Sequence, residues 1–126
     1  HSGLYGIAGV SDMRDIIQGV EEQKPMHTLA YEMYEYRIRK YIGSYIAAMN
    51  GVDAIAFTAG IGENTPCLRK KICENLSYFG IAIDNESNQQ RGGYELSTPD
   101  SLIKVLVIPS DEEIMIAKDT LALINE

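Results

Sequence analysis

An apolar run, a glycine-punctuated loop and a capped helix follow one another between Ala54 and Leu76, and this succession constrains the fold more than any other part of the chain. Ala54-Ile55-Ala56-Phe57 is continuous and of strand length, and it follows the helix stop Asn50-Gly51. A strand with no polar alternation belongs in a sheet covered on both faces. Gly60-Ile61-Gly62-Glu63-Asn64 then reads as a loop, and Thr65-Pro66 as N-cap and first helical residue. The helix is predicted over 65–78, with Leu68, Ile72, Leu76 and Phe79 inward and Gly80 as its stop. Ile103-Lys104-Val105-Leu106-Val107-Ile108 is a second strand, ended by Pro109. Ser110 opens a last helix over 110–124, in which Ser110 and Glu113 have capping-box spacing. Strands alternating with helices make this an α/β layered domain.

Upstream of that core, Gly3-Leu4-Tyr5-Gly6-Ile7-Ala8-Gly9 suggests a turn or a closely approached backbone. Ser11 or Asp12 can cap a short helix reaching Gly19, with Ile16 and Ile17 inward. A charged linker over 21–24 ends at Pro25. A long helix is predicted over 28–49, because Tyr34, Ile38, Tyr41, Ile42, Tyr45, Ile46 and Met49 recur at helical spacing. Its tyrosines read as core or as a subunit interface. The stretch 84–93 is polar and reads as a surface excursion.

A length of 126 residues predicts one domain, 1–126, able to bury a core without disulfides. With 45% hydrophobic and 23% charged residues the chain is of globular composition. A net charge of −7 argues against nucleic acid and against an anionic membrane as the main partner. No run of 18 apolar residues is present. Cys67 and Cys73 match no metal spacing and no disulfide framework, so free thiols in a reducing cytoplasm are expected. His1-Ser2-Gly3 carries no initiator Met and reads as the interior of a longer protein.

Chemistry is carried by few segments. A loop at the carboxyl end of a buried strand, feeding a helix N-terminus, suits a nucleotide or another anion, since glycine admits a ligand to the backbone. A plain tight turn is the competing reading, because the loop lacks a dinucleotide fingerprint and the Gly-Lys-Ser/Thr of a P-loop. Arg14 can stack on a purine or reach a phosphate, and Asp12 can cap a helix or bind a hydroxyl. Asp111-Glu112-Glu113 follows a strand and can hold Mg²⁺ directly or through water, or simply favour a helix start. His1 and His27 have no partner at catalytic or ligand spacing.

Taken together, Ser2-Gly3-Leu4-Tyr5-Gly6, Ser11-Asp12-Met13-Arg14-Asp15, Tyr36-Arg37-Ile38-Arg39-Lys40-Tyr41-Ile42-Gly43, Phe57-Thr58-Ala59-Gly60-Ile61-Gly62-Glu63-Asn64 and Val107-Ile108-Pro109-Ser110-Asp111-Glu112-Glu113 resemble the acetate kinase family, in the family's order. The resemblance implies an actin/sugar-kinase/Hsp70-like (ribonuclease H-like) α/β domain, with this chain as its C-terminal, nucleotide-binding part. It implies a homodimeric cytoplasmic enzyme that converts ATP and acetate to ADP and acetyl phosphate reversibly, with Mg²⁺. By the same resemblance, Asp12, Met13 and Arg14 line the ATP site, Gly60, Ile61, Gly62, Glu63 and Asn64 enclose the adenosine, and Glu112 coordinates Mg²⁺. The acetate pocket and the catalytic residues are implied to lie upstream, so the chain by itself is expected to be inactive. A propionate or butyrate kinase shares these segments. A non-catalytic nucleotide-binding or dimerisation module is the alternative of a different class.

Overall fold

A computed structural model describes residues 6, 8–9, 12–90, 94–109, 116–117 and 120–123. The chain divides into two compact units, His1–Ile38 and Arg39–Glu126.

In the first unit, helix α1 spans Met13–Glu21. Asp12 is its N-cap: the side chain accepts from the Arg14 backbone N–H, satisfying one of the donors that every helix start leaves open. Met13, Ile16 and Gly19 form its buried side, while Ile17 is only partly covered. The chain turns through Gln23 at φ 60°, where the Lys24 N–H donates to the Gly19 carbonyl at 2.8 Å. Pro25 then opens the next helix, its fixed φ suited to a first helical position. Gly19 is required here by space: a Cβ built on it would fall on the ring and Cβ of His27.

Helix α2 spans Pro25–Met49, three residues longer at its start than its periodicity predicts. Its buried positions are Ala30, Tyr31, Glu35, Ile42 and Ile46, with Tyr34, Ile38 and Met49 partly covered. Tyr41 at 58% and Tyr45 at 36% exposure stand outside the inward face to which their spacing assigned them. The helix stops as expected at Asn50-Gly51. Asn50 is left-handed at φ 58°, and the Gly51 N–H reaches back to the Ile46 carbonyl at 2.8 Å, the long bond of a Schellman turn.

The second unit is organised on strand β1, Ala54–Thr58, every residue of which is buried. Strand β2, Lys104–Ile108, lies parallel on one side, with Ile55 opposite Val105 and Phe57 opposite Val107. Strands β3, Ile116–Ala117, and β4, Thr120–Leu123, complete the order β2-β1-β4-β3, with β4 parallel to β1 and antiparallel to β3. The helix predicted over 110–124 is therefore replaced by strands where the backbone is described. A short apolar run has no period that separates helix from strand, and here it pairs along the otherwise open edge of β1. The proposed cap Ser110 and its partner Glu113 lie outside the described residues.

Between the parallel strands run helix α3, Ala59–Asn64, helix α4, Pro66–Glu74, a 3-10 turn, Ser77–Phe79, and helix α5, Asn85–Gln89. Leu68, Ile72 and Leu76 are buried from α4 and its end, as predicted, and Cys73 is buried with them, whereas Phe79 is 38% exposed. The 3-10 turn closes on Gly80 at φ 83°, where a Cβ would strike Leu102. The described part of the expected surface excursion, 84–90, is more than that, because α5 buries Asn88 completely.

Candidate functional site

β1 and β2 run in parallel, so their carboxyl ends lie side by side, where ligands of open α/β sheets bind. Thr58, the last residue of β1, ties the two ends together: its hydroxyl donates to the Ile108 carbonyl at 2.7 Å. Thr58 is extended, and the following Ala59 is left-handed at φ 62°. That reversal aims the chain out of the sheet into α3. The segment expected to be a loop, Gly60-Ile61-Gly62-Glu63-Asn64, is thus a single helical turn and a half. Neither of its glycines is among the left-handed residues, so the sharp bend is taken by Ala59 and not by glycine freedom. Gly62 is buried, and a Cβ on it would meet the Phe57 backbone and Cβ at 3.4–3.5 Å, close to ordinary contact.

Gly60 and Asn64 are exposed, and Ile61 and Glu63 partly so. The Asn64 carboxamide donates to the Gly60 carbonyl at 2.9 Å, closing the turn on itself. Thr65 and Pro66 start α4 as predicted, but the Thr65 hydroxyl makes no capping bond; its carbonyl instead accepts from Leu68 and Arg69 N–H.

The residue that holds this turn is one that motif reading passes over. Arg69, only 2% exposed, sends Nη1 to the carbonyls of Gly62 and Glu63, each at 2.8 Å. Its Nε and Nη2 take the Oδ1 and backbone oxygen of Asn88, at 2.9 and 2.7 Å. Asn88 in turn donates to the Pro66 carbonyl at 2.9 Å. Burial pulls the guanidinium below its ordinary pKa, with the two cysteines opposing the shift. It stays a cation, since arginine does not lose its proton in proteins. The readable signal was position: Arg69 falls on the apolar side of a helix that reads Leu68, Ile72, Cys73, Leu76.

Asp12, Met13 and Arg14 belong to the first unit and residues 60–64 to the second. Met13 is a core side chain at 4% exposure. Arg14, 90% exposed along its side chain, folds back on Asp12 with Nη2 to Oδ2 at 2.7 Å and Nε to Oδ1 at 3.2 Å. These hydrogen bonds hold the Asp12 carboxyl down to about 2, so it is ionised at neutral pH. The expected magnesium residue Glu112 lies outside the described residues. Among the described residues no three His, Cys, Asp or Glu side chains gather at metal-binding distance. No helix among them is long and apolar enough to cross a membrane.

Residues 1–118 match the model of the acetokinase family. The chain belongs to the acetokinase family. It is 57% identical to the acetate kinase of Fervidobacterium nodosum over 99% of its own length, which is 32% of that relative. The crystal structure of Porphyromonas gingivalis acetate kinase is similar with a TM-score of 0.79 and 43% identity, covering 87% of this chain and 28% of that one. A propionate kinase from Francisella tularensis is similar with a TM-score of 0.79 and 34% identity, over 87% of this chain and 28% of that one. The chain thus spans about a third of the length of the acetokinase relatives it matches. The α/β expectation, a sheet with flanking helices, holds for this acetokinase chain, whose sheet is small and mainly parallel.

Proposed function

We propose that this chain is the nucleotide-binding part of an acetate kinase, carrying the adenosine side of the ATP site. What carries the reading is 57% identity to an acetate kinase along 99% of the chain. The geometry supports it: residues 60–64 leave the carboxyl end of a buried parallel strand in a braced, partly exposed turn. Gly60, Ile61, Gly62, Glu63 and Asn64 would enclose the adenosine, and Asp12, Met13 and Arg14 are assigned to ATP binding by the family resemblance, with the Met13 side chain itself packed inward. For Arg14 such binding requires leaving Asp12, an exposed pair whose separation costs little. Glu112 would hold Mg²⁺, which prefers one or two carboxylates beside substrate phosphates and so needs no protein cluster. When bound, the ion neutralises charge on the transferring phosphoryl group. The protein acts in the cytoplasm as a homodimer joined through this part. The exposed Met26, Leu29, Met33 and Tyr36 of α2, at helical spacing, suit such an interface.

The reaction is reversible transfer of the ATP γ-phosphoryl group to acetate, giving acetyl phosphate and ADP. The residues that meet the acyl group belong to the remaining two thirds of the enzyme. The intact protein is expected to form acetyl phosphate, trapped as its hydroxamate, with a higher kcat/KM for acetate than for propionate or butyrate. The isolated 126-residue chain is expected to form none. Acetyl phosphate formation by the isolated chain, or a preference for the longer acids, would count against the assignment. The propionate kinase likeness makes the second outcome the specific rival.

A further inference from the structure

We infer that Arg69 is a positioning residue for the nucleotide, acting through the turn 60–64, and that Asn88 sets its direction. The inference rests on the reading of that turn as the adenosine-side segment. Its observation is the buried chain of bonds from Asn88 to Arg69 to the carbonyls of Gly62 and Glu63. A helix as short as α3 leaves its last carbonyls without intrahelical partners. Arg69 supplies partners to two of them, Gly62 and Glu63, from one nitrogen. Each peptide unit is planar, so fixing the carbonyls of Gly62 and Glu63 also fixes the planes that lead into Glu63 and Asn64. The two planes flank Glu63 and so set the direction of its Cα–Cβ bond, while the plane between Glu63 and Asn64 orients the Asn64 backbone N–H. The guanidinium fork is rigid, and Asn88 occupies its remaining edge, so Arg69 cannot swing without breaking bonds to α5.

Stability accounts for part of this arrangement and the shape of the turn for the rest. All four acceptors are neutral, so the cost of burying the cation is offset only by hydrogen bonds. An apolar side chain at position 69 would avoid that cost but would leave the oxygens of Gly62, Glu63 and fully buried Asn88 without these donors. What an apolar side chain cannot do is define the shape of 62–64. The polar stretch 84–90, far from the turn in sequence, thereby becomes part of its support.

The test uses the intact protein and the variants Arg69→Lys, Arg69→Met and Asn88→Ala. The KM for ATP and for acetate, ADP affinity by calorimetry, and Tm are measured on each. Arg69→Lys keeps the charge but loses the fork, and is expected to raise the KM for ATP about tenfold or more while moving that for acetate about twofold or less. Asn88→Ala should raise the same constant by less. The double variant Arg69→Lys/Asn88→Ala should cost less than the product of the two, because both act through one brace. If Arg69→Met does not fold, the lysine and Asn88 variants decide. A lowered Tm with ADP affinity and the KM for ATP unchanged in Arg69→Lys and Asn88→Ala would overturn the inference alone. Failure of the unaltered protein to bind ADP would overturn the nucleotide reading and this inference together.

Discussion

Ala59 carries its φ of 62° at the point where β1 ends and α3 begins. An L side chain enters that region at a cost of about 1 kcal/mol or more, because its Cβ crowds the backbone. Non-glycine residues persist there only where the surroundings determine the conformation, and here Thr58 is tied to Ile108 on one side and Arg69 holds the carbonyls on the other. Ala59→Gly is therefore expected to be neutral or stabilising by up to about 1 kcal/mol in urea unfolding, where the same change inside an ordinary helix costs about that much. A loss of about 1 kcal/mol would show that the left-handed geometry carries no strain. The two cysteines make a second contrast at this scale. Cys67 is exposed, while burial pushes the Cys73 thiol up to about 12, so that little thiolate is present at neutral pH. Alkylation of the native protein followed by peptide mapping should mark Cys67 and spare Cys73 until denaturant is added.

At the scale of elements, α1 and α2 meet through a glycine. A methyl group on Gly19 would overlap the Cβ and ring of His27, so the two segments would have to separate. Gly19→Ala is expected to destabilise by about 1–3 kcal/mol despite the better helix propensity of alanine. His27→Ala in the same chain should recover part of the loss in thermal unfolding. His27, which has no partner in the sequence pattern, thus has a packing role. The elements that were legible in sequence are those announced by local chemistry: Asp12 before α1, Pro25 and Asn50-Gly51 around α2, Thr65-Pro66 before α4, and the apolar runs of β1 and β2. The two glycines of 60–64 suggest a loop, but the residues are helical and the bend falls on Ala59. Tyr41 and Tyr45 were assigned to the inward face because tyrosine fits helical spacing with its apolar ring while tolerating water at its hydroxyl. Arg69 and Asn88 escaped motif reading because a buried polar bond across 19 residues leaves no local pattern.

For the whole molecule, the sheet sets where the chain is most resistant to opening. β1 has partners on both edges and no exposed residue, while the helical elements around it end in short turns. Amide exchange followed by mass spectrometry should be slowest for peptides covering Ala54–Thr58 and Lys104–Ile108, and faster over Met13–Glu21. Uniform exchange across these segments would contradict a core centred on β1. The acidic balance of the chain, −7 in net charge, argues against a broad basic surface as an anion-binding device.

The hydroxyl of Thr58 finds its carbonyl 50 residues further along the chain, and β1 as a whole waits for β2 over the same interval. During synthesis at roughly 5–20 residues per second, that interval lasts about 3–10 seconds. For that time an uninterrupted apolar strand has left the ribosome's decoding centre with neither neighbour yet made. The nascent chain therefore has a period in which Ala54–Thr58 is a natural recognition segment for a holding chaperone, and the period closes only when Lys104–Ile108 arrives.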